Sequence, residues 1–337
     1  MGTKAVVLGL SGGVDSAVAA RLLLEAGYTV YGHWLDIGLG GREEAAAVAA
    51  ALGIPFSTGD IRGALEREVM APFQADYLAG RTPIPCARCN PAVKFPALFR
   101  RAEEVGAAFV ATGHYARIRP GTDGAPTLCR GEHANDQVYL LARLPQAWLG
   151  QLVFPLGDYP KTQVRQLARD FGLPVAEKPD SMEICFIPDG DYPAFIEARG
   201  LAGKAGHFIS PDGADLGPHQ GVLHYTVGQR KGLGIALGEP VFIREICENG
   251  DIRLARGGEE YFTTVTVAGL VTPDGAALPA GEYLVKVRSA APAQPAVFDG
   301  TDTLTFASPV RAPAPGQTAA FYRGGAVAGS GFITHAE

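Results

Sequence analysis

The segment Ser11-Gly12-Gly13-Val14-Asp15-Ser16 constrains the fold more than any other part of the chain. It follows an apolar run at residues 4–10, precedes a helical pattern at 16–26 that Gly27 ends, and is followed by a second apolar run at 29–35. Strand, glycine turn, helix and strand in that order make a βαβ unit, whose strands lie parallel in a sheet covered by helices. Glycines let the backbone turn tightly, and the N–H groups that open the helix then face outward, a geometry that binds anions. No lysine closes the segment, so it is not the phosphate loop with a Gly-Lys-Ser/Thr ending.

The alternation continues with a helix at 43–52 ended by Gly53, a strand at 54–58, a helix through Leu78, another at 93–105 and a strand at 107–112. A last helix is expected at 158–172, with Asp158 as N-cap and Pro160 in the first turn, before extended chain at 183–187. Beyond residue 200 the apolar runs are short and broken by glycine and proline, which favours small antiparallel β domains. The expected architecture is therefore an α/β domain with a parallel sheet over 1–198, a small central β domain over 199–257 and a C-terminal β-barrel-like domain over 258–337.

No stretch approaches the ~20 apolar residues of a membrane span, and the chain enters its first strand without a cleavable signal, so a cytoplasmic protein with no membrane partner is expected. A net charge of -6 gives no global attraction for a polyanion. Any nucleic-acid site must be a local patch, and two exist: Arg81, Arg88, Lys94, Arg100 and Arg101 in one stretch, Arg230 and Lys231 in another.

Five cysteines are too few for a disulfide framework and point to reduced thiols with chemical roles. Cys86 and Cys89 form a CxxC ahead of a helix whose positive end lowers a thiol pKa. Such a pair reads as a redox couple, half a metal site or chance, and Cys185 is a third candidate. Cys129 and Cys247 lie in strand-like surroundings and are expected to be buried small hydrophobes.

The hexapeptide resembles the pyrophosphate loop of the N-type ATP pyrophosphatases. Further segments narrow the resemblance: Ala79-Gly80-Arg81-Thr82-Pro83 with Cys86 and Cys89-Asn90, Ala111-Thr112-Gly113-His114-Tyr115, Asp136-Gln137, Asp180-Ser181 with Glu183-Ile184-Cys185-Phe186-Ile187, and Thr226 through Gly234. Together, over nearly the whole chain, they resemble the tRNA-specific 2-thiouridylases.

That resemblance implies cleavage of ATP between its α and β phosphates, adenylation of the C2 carbonyl of the wobble uridine at position 34 of tRNA, and replacement of its oxygen by sulfur. Gly9, Leu10, Ser11, Gly12, Gly13, Val14, Asp15 and Ser16 would hold the nucleotide, Asp15 with Mg2+, while Leu35 flanks the adenine and Gly113 lies against the nucleotide. Ile84, Pro85, Cys86, Asn135, Asp136, Gln137, Arg230, Lys231, Arg288 and Ser289 would meet the anticodon stem-loop. Cys185 would carry a persulfide and Cys89 would act as nucleophile, with a persulfide or sulfide donor as partner. A competing account has Cys86, Cys89 and Cys185 hold a 4Fe-4S cluster, and the third thiolate inclines the reading towards it.

Ile84 stands where the family commonly has asparagine, Val138 where it has serine, and the chain after Asp36 is shortened to a glycine-rich loop at 38–41. These departures leave open a pyrophosphate-loop sulfurtransferase acting on another RNA position or a small metabolite. A nucleotide-sensing RNA-binding protein without turnover is the third reading.

Overall fold

The computed structural model describes residues 4–180 and 184–337. Ser181, Met182 and Glu183, part of one quoted motif, lie outside the described residues. The chain forms two compact units. The first gathers residues up to Val69, Cys86–Pro188 and Gly324–Val327, and the second gathers Met70–Pro85, Asp189–Arg323 and Ala328–Glu337.

The first unit opens with β1 (Lys4–Gly9), α1 (Val14–Glu25), β2 (Tyr28–Asp36), α2 (Arg42–Leu52) and β3 (Phe56–Asp60). Val6, Val7 and Leu8 are fully buried, as expected of a strand covered on both faces. Ala17, Val18, Ala19, Ala20 and Leu23 give α1 a core-facing surface of mostly small side chains, which lets the helix lie close to the sheet. Ala45, Val48 and Ala49 do the same for α2, and Gly53 at φ 64° ends that helix in the left-handed conformation that costs glycine little.

Further along come α3 (Pro85–Cys89), α4 (Phe95–Val105), β4 (Phe109–Ala111), β5 (Leu152–Val153) and α5 (Lys161–Asp170). The sheet order is β3-β2-β1-β4-β5, all parallel. The chain leaves β1 towards β2 on one side and returns at β4 on the other, so a crevice opens at the carboxyl ends of β1 and β4, where open α/β sheets bind ligands.

One helix start differs from expectation. Pro160, in extended conformation at φ -70° and ψ 151°, is the N-cap of α5. Asp158 is instead drawn to Arg117 at 2.6 Å and Arg119 at 2.9 Å, because charge-assisted bonds to guanidinium outweigh a single capping bond.

The second unit is β-rich. A four-stranded sheet runs in the order Val241–Ile246, Ile252–Arg256, His207–Ile209, Asp215–Pro218. Tyr261–Val271, Thr303–Arg311, Gln294–Phe298, Gly281–Lys286, Thr318–Arg323 and Ala326–Ala336 follow one another as neighbours, and the last pairs back with the first to close a barrel. Closure removes exposed strand edges. Tyr283, Phe298 and Phe321 pack edge-on in its core.

Cys129 and Cys247 are half-buried rather than buried. Cys247 has already left its strand, in a turn where its N–H donates to the Asp251 carbonyl, and Cys129 ends a short strand.

Candidate active site

The turn between β1 and α1 is held by its own hydroxyls. Ser16 Oγ accepts from the Ser11 N–H at 3.2 Å and donates to the Gly13 carbonyl at 3.0 Å, while Ser11 Oγ accepts from the Gly13 N–H at 3.3 Å. Gly12 sits at φ +74°, and a Cβ there would come within 2.8 Å of the Ala45 nitrogen in the first turn of α2. From the carboxyl end of β4, Gly113 presses so close that a Cβ would stand 2.9 Å from the carbonyl carbon of Asp15 and the nitrogen of Ser16. Two helix openings and a bare peptide thus form a cradle that only glycine leaves vacant, and aligned N–H groups at a helix start suit nucleotide phosphates. Leu35 is half-buried at the end of β2, in register with Gly59 of β3.

Charge converges on this cradle. One Asp15 oxygen accepts from the Tyr115 hydroxyl at 2.6 Å and from Lys161 Nζ at 2.6 Å. Lys161 also reaches Asp180 at 2.8 Å, which Arg165 holds at 2.7 Å, and Lys178 donates to the Gly12 carbonyl at 3.2 Å. Burial works to raise the Asp180 carboxyl, but hydrogen bonds from Lys161 and Arg165 outweigh it and hold it below the usual range. Burial, then the bond to Asp15, pushes the Tyr115 phenol far up, so it stays a donor.

Sequence reasoning missed Lys161, Arg165 and Lys178. One signal was readable, because a lysine on the first turn of α5 opposes the helix dipole and so needs an anionic neighbour to justify it.

Cys86 and Cys89 do not precede a helix; they lie within α3, which runs through a π-helical turn at Asn90–Lys94 into α4. Such turns recur at functional sites. The expected lowering of the thiol is reversed at Cys89, where burial pushes it up to about 11, with Lys94 pulling down and Cys185 and Cys86 adding to the rise. Burial likewise raises Cys185, again opposed first by Lys94. Cys86 and Cys185 keep exposed surface and Cys89 is half-buried. The three sulfurs, remote in sequence, therefore share one neighbourhood.

This makes a checkable expectation. Since only about one Cys89 in a thousand is thiolate at pH 8 with such a pKa, its alkylation rate should climb close to tenfold per pH unit up to about pH 10. A rate that levels near pH 8.5, read by mass spectrometry of the modified peptide, would contradict the burial assigned to it.

The thiols and the cradle are linked by packed residues. His114 follows Gly113, receives or gives a 2.7 Å hydrogen bond at Nδ1 with Thr112 Oγ1, and stacks on Phe95. Burial first, then Lys94, drives its imidazole well below the ordinary range, so it is a neutral, hydrogen-bonded residue. Asp15, Gly113, His114, Lys94 and the thiols thus form an unbroken series.

ATP fits this arrangement, since the cradle excludes a Cβ, Lys161 and Lys178 reach it, and Asp15 offers a carboxylate for Mg2+. A 4Fe-4S cluster finds no support in the arrangement. Among the described residues, all three thiols included, no three His, Cys, Asp or Glu side chains are placed to hold a metal ion.

The residues expected to meet RNA fall into two groups. Asn135 donates to the Tyr159 carbonyl at 3.2 Å, Asp136 accepts from the Gly131 N–H at 2.9 Å, and Gln137 accepts from the Tyr115 N–H at 3.1 Å, so all three shape the loop beside Tyr115. Arg288, in the second unit, donates to the Ala312 and Val227 carbonyls at 2.7 and 2.6 Å, committing donors to the backbone. By contrast Arg230, Lys231 and Ser289 are exposed, Ile84 is half-buried and Pro85 is buried.

Val138 is fully buried, so its departure from the family pattern lies in the core. Val138→Ser should cost about 1–3 kcal/mol of stability by burying a hydroxyl, with unchanged choice of substrate base. Thermal melts and product analysis check both halves.

The parallel sheet, with a glycine turn and a carboxylate where the chain crosses over, has the fold class of the N-type ATP pyrophosphatases. Residues 4–189 match the tRNA methyl transferase HUP domain, 194–252 the tRNA methyl transferase PRC-barrel domain and 274–333 the aminomethyltransferase beta-barrel domain. The tRNA-specific 2-thiouridylase MnmA of Carboxydothermus hydrogenoformans is 41% identical over 358 residues, spanning 99% of this chain and 98% of that protein. Its namesake in Acidithiobacillus ferrooxidans is 41% identical over 353 residues, spanning 100% of both. The chain belongs to the tRNA-specific 2-thiouridylase family. No helix among the described residues is long and apolar enough to cross a membrane.

Proposed function

We propose that this chain spends ATP to replace the C2 oxygen of the wobble uridine of tRNA with sulfur. The observation that carries the reading is the continuity from Asp15 through Gly113, His114 and Lys94 to Cys89 and Cys185, which supports activation and sulfur transfer in one place.

The uridine O2 attacks the α phosphorus of ATP and pyrophosphate leaves from the cradle at residues 11–16. Asp15 would hold Mg2+, which would supply positive charge for the departing phosphates. AMP turns a poor leaving oxygen into a good one. The Cys185 thiolate takes the outer sulfur of a donor persulfide, releasing the donor as its thiolate, and the outer sulfur of the resulting Cys185 persulfide attacks C2 as AMP departs with the oxygen. Cys89 thiolate then attacks the Cys185 sulfur, the bond to the new thiocarbonyl breaks, and a Cys89–Cys185 disulfide forms that an external thiol reduces. All five cysteines are free in the structure, the reduced state this cycle starts from.

The tRNA is met by an unstacked anticodon-loop base, which reaches a recessed site at lower cost than a paired one. With a net charge of -6 overall, the exposed Arg230 and Lys231 are a local source of phosphate attraction, and binding should weaken with salt. Turnover with ATP, a persulfide donor and unmodified tRNA, followed by nucleoside mass spectrometry, tests the reading. 2-Thiouridine at position 34 is expected. Sulfur at another position, or AMP formation only with a small metabolite, overturns it.

A further inference from the structure

We propose that Lys161 is a mobile counter-charge of the cradle, paired with Asp15 until magnesium arrives and then handed to the departing phosphates, with Asp180 and Arg165 as the positioning pair that keeps it there. The proposal rests on the ATP reading above and goes beyond it in assigning residues to pyrophosphate release.

Lys161 contacts two carboxylates from distant parts of the chain, Asp15 at 2.6 Å and Asp180 at 2.8 Å. An ammonium has three donors, and these two carboxylates are its hydrogen-bonding partners among the described residues, which leaves a third donor for a phosphate oxygen. Its site on the first turn of α5 is electrostatically adverse for a cation, and the two carboxylates are what hold it there.

The Asp15 oxygen that Lys161 occupies also accepts from Tyr115. A divalent ion at that carboxylate would stand within contact range of the ammonium and repel it. Asp180 gives Lys161 somewhere to stay, because Arg165, one helical turn along the same face, holds the same Asp180 oxygen at 2.7 Å. Lys161 is thereby kept at the cradle when magnesium displaces it from Asp15, facing the phosphates that gain charge as the α–β bond breaks. Lys161, Arg165 and Lys178 against Asp15 and Asp180 leave one positive charge over, which favours an anionic ligand.

Removing Lys161 should therefore act in opposite directions on metal and on anion. In Lys161→Met, Mn2+ alone, followed by electron paramagnetic resonance, should bind at least about threefold tighter, since Asp15 loses its competitor. Magnesium pyrophosphate, followed by calorimetry, should bind about tenfold weaker, and tRNA-dependent AMP formation should slow by a larger factor. Lys161→Gln, with thermal melts on both variants, guards against simple misfolding. Asp180→Asn should weaken pyrophosphate binding without tightening Mn2+. A general structural defect weakens both ligands together, and that result, or unchanged Mn2+ binding, overturns the proposal. Wild-type protein that fails to bind magnesium pyrophosphate at all contradicts the ATP reading itself and this proposal with it.

Discussion

Serine in place of Cys89 or Cys185 should abolish 2-thiouridine formation, by on the order of 10³-fold or more, while tRNA-dependent release of AMP and pyrophosphate persists. Serine keeps the size of the side chain and removes the atom that bonds to sulfur. Among the described residues the side chain of Asp15 is held by Tyr115 and Lys161 and by neither thiol, so the machinery for cleaving ATP is left in place. Activation without transfer should leave an adenylate that hydrolyses, giving AMP in excess of thiolated product. Cys86→Ser should keep most of its thiolation, because the arrangement of the three thiols does not hold a metal ion. Equal loss in all three variants would return the three-thiol cluster to consideration, and equal loss of AMP and thiouridine in Cys185→Ser would break the separation of the two half-reactions.

Gly113→Ala should act on the other half. Its methyl group would stand 2.9 Å from two backbone atoms of the turn that opens α1, closer than carbon atoms tolerate, and backbone cannot rotate aside as a side chain can. Relief requires a shift of the cradle or of the end of β4, at a stability cost of about 1–3 kcal/mol. A displacement approaching 1 Å at a phosphate-holding turn costs about 10²-fold in rate. AMP formation should fall by that factor and thiolation with it, whereas a neighbour with space, Gly27, has nothing within 4 Å of its would-be Cβ and should tolerate alanine better apart from its positive φ. Wild-type AMP formation in Gly113→Ala would show that the cradle is not where the nucleotide binds.

What the sequence made legible was local. The strand–turn–helix at residues 4–25 follows from hydrophobic runs and two adjacent glycines, and α2 follows from alanines closed by Gly53. What it hid depends on partners far along the chain. Lys161 lies 146 positions from Asp15 and Lys178 lies 166 from Gly12, separations across which no spacing rule operates. The thiol at Cys89 was misjudged because a helix end was weighed and burial was not, and burial wins. Asp158 has the composition of an N-cap, but two arginines brought together by tertiary structure claim it first. Val138 seemed to concern base recognition until its burial placed it in the core.

The central claim is that the uridine oxygen leaves on AMP and sulfur enters at the same carbon from a thiol of this site. Turnover of tRNA carrying oxygen-18 at C2 of the wobble uridine tests this most directly, with the AMP recovered and weighed by mass spectrometry. One labelled oxygen in AMP for each 2-thiouridine formed is the predicted result. AMP free of label, alongside normal thiolation, would mean that ATP activates something other than the base and would contradict the account.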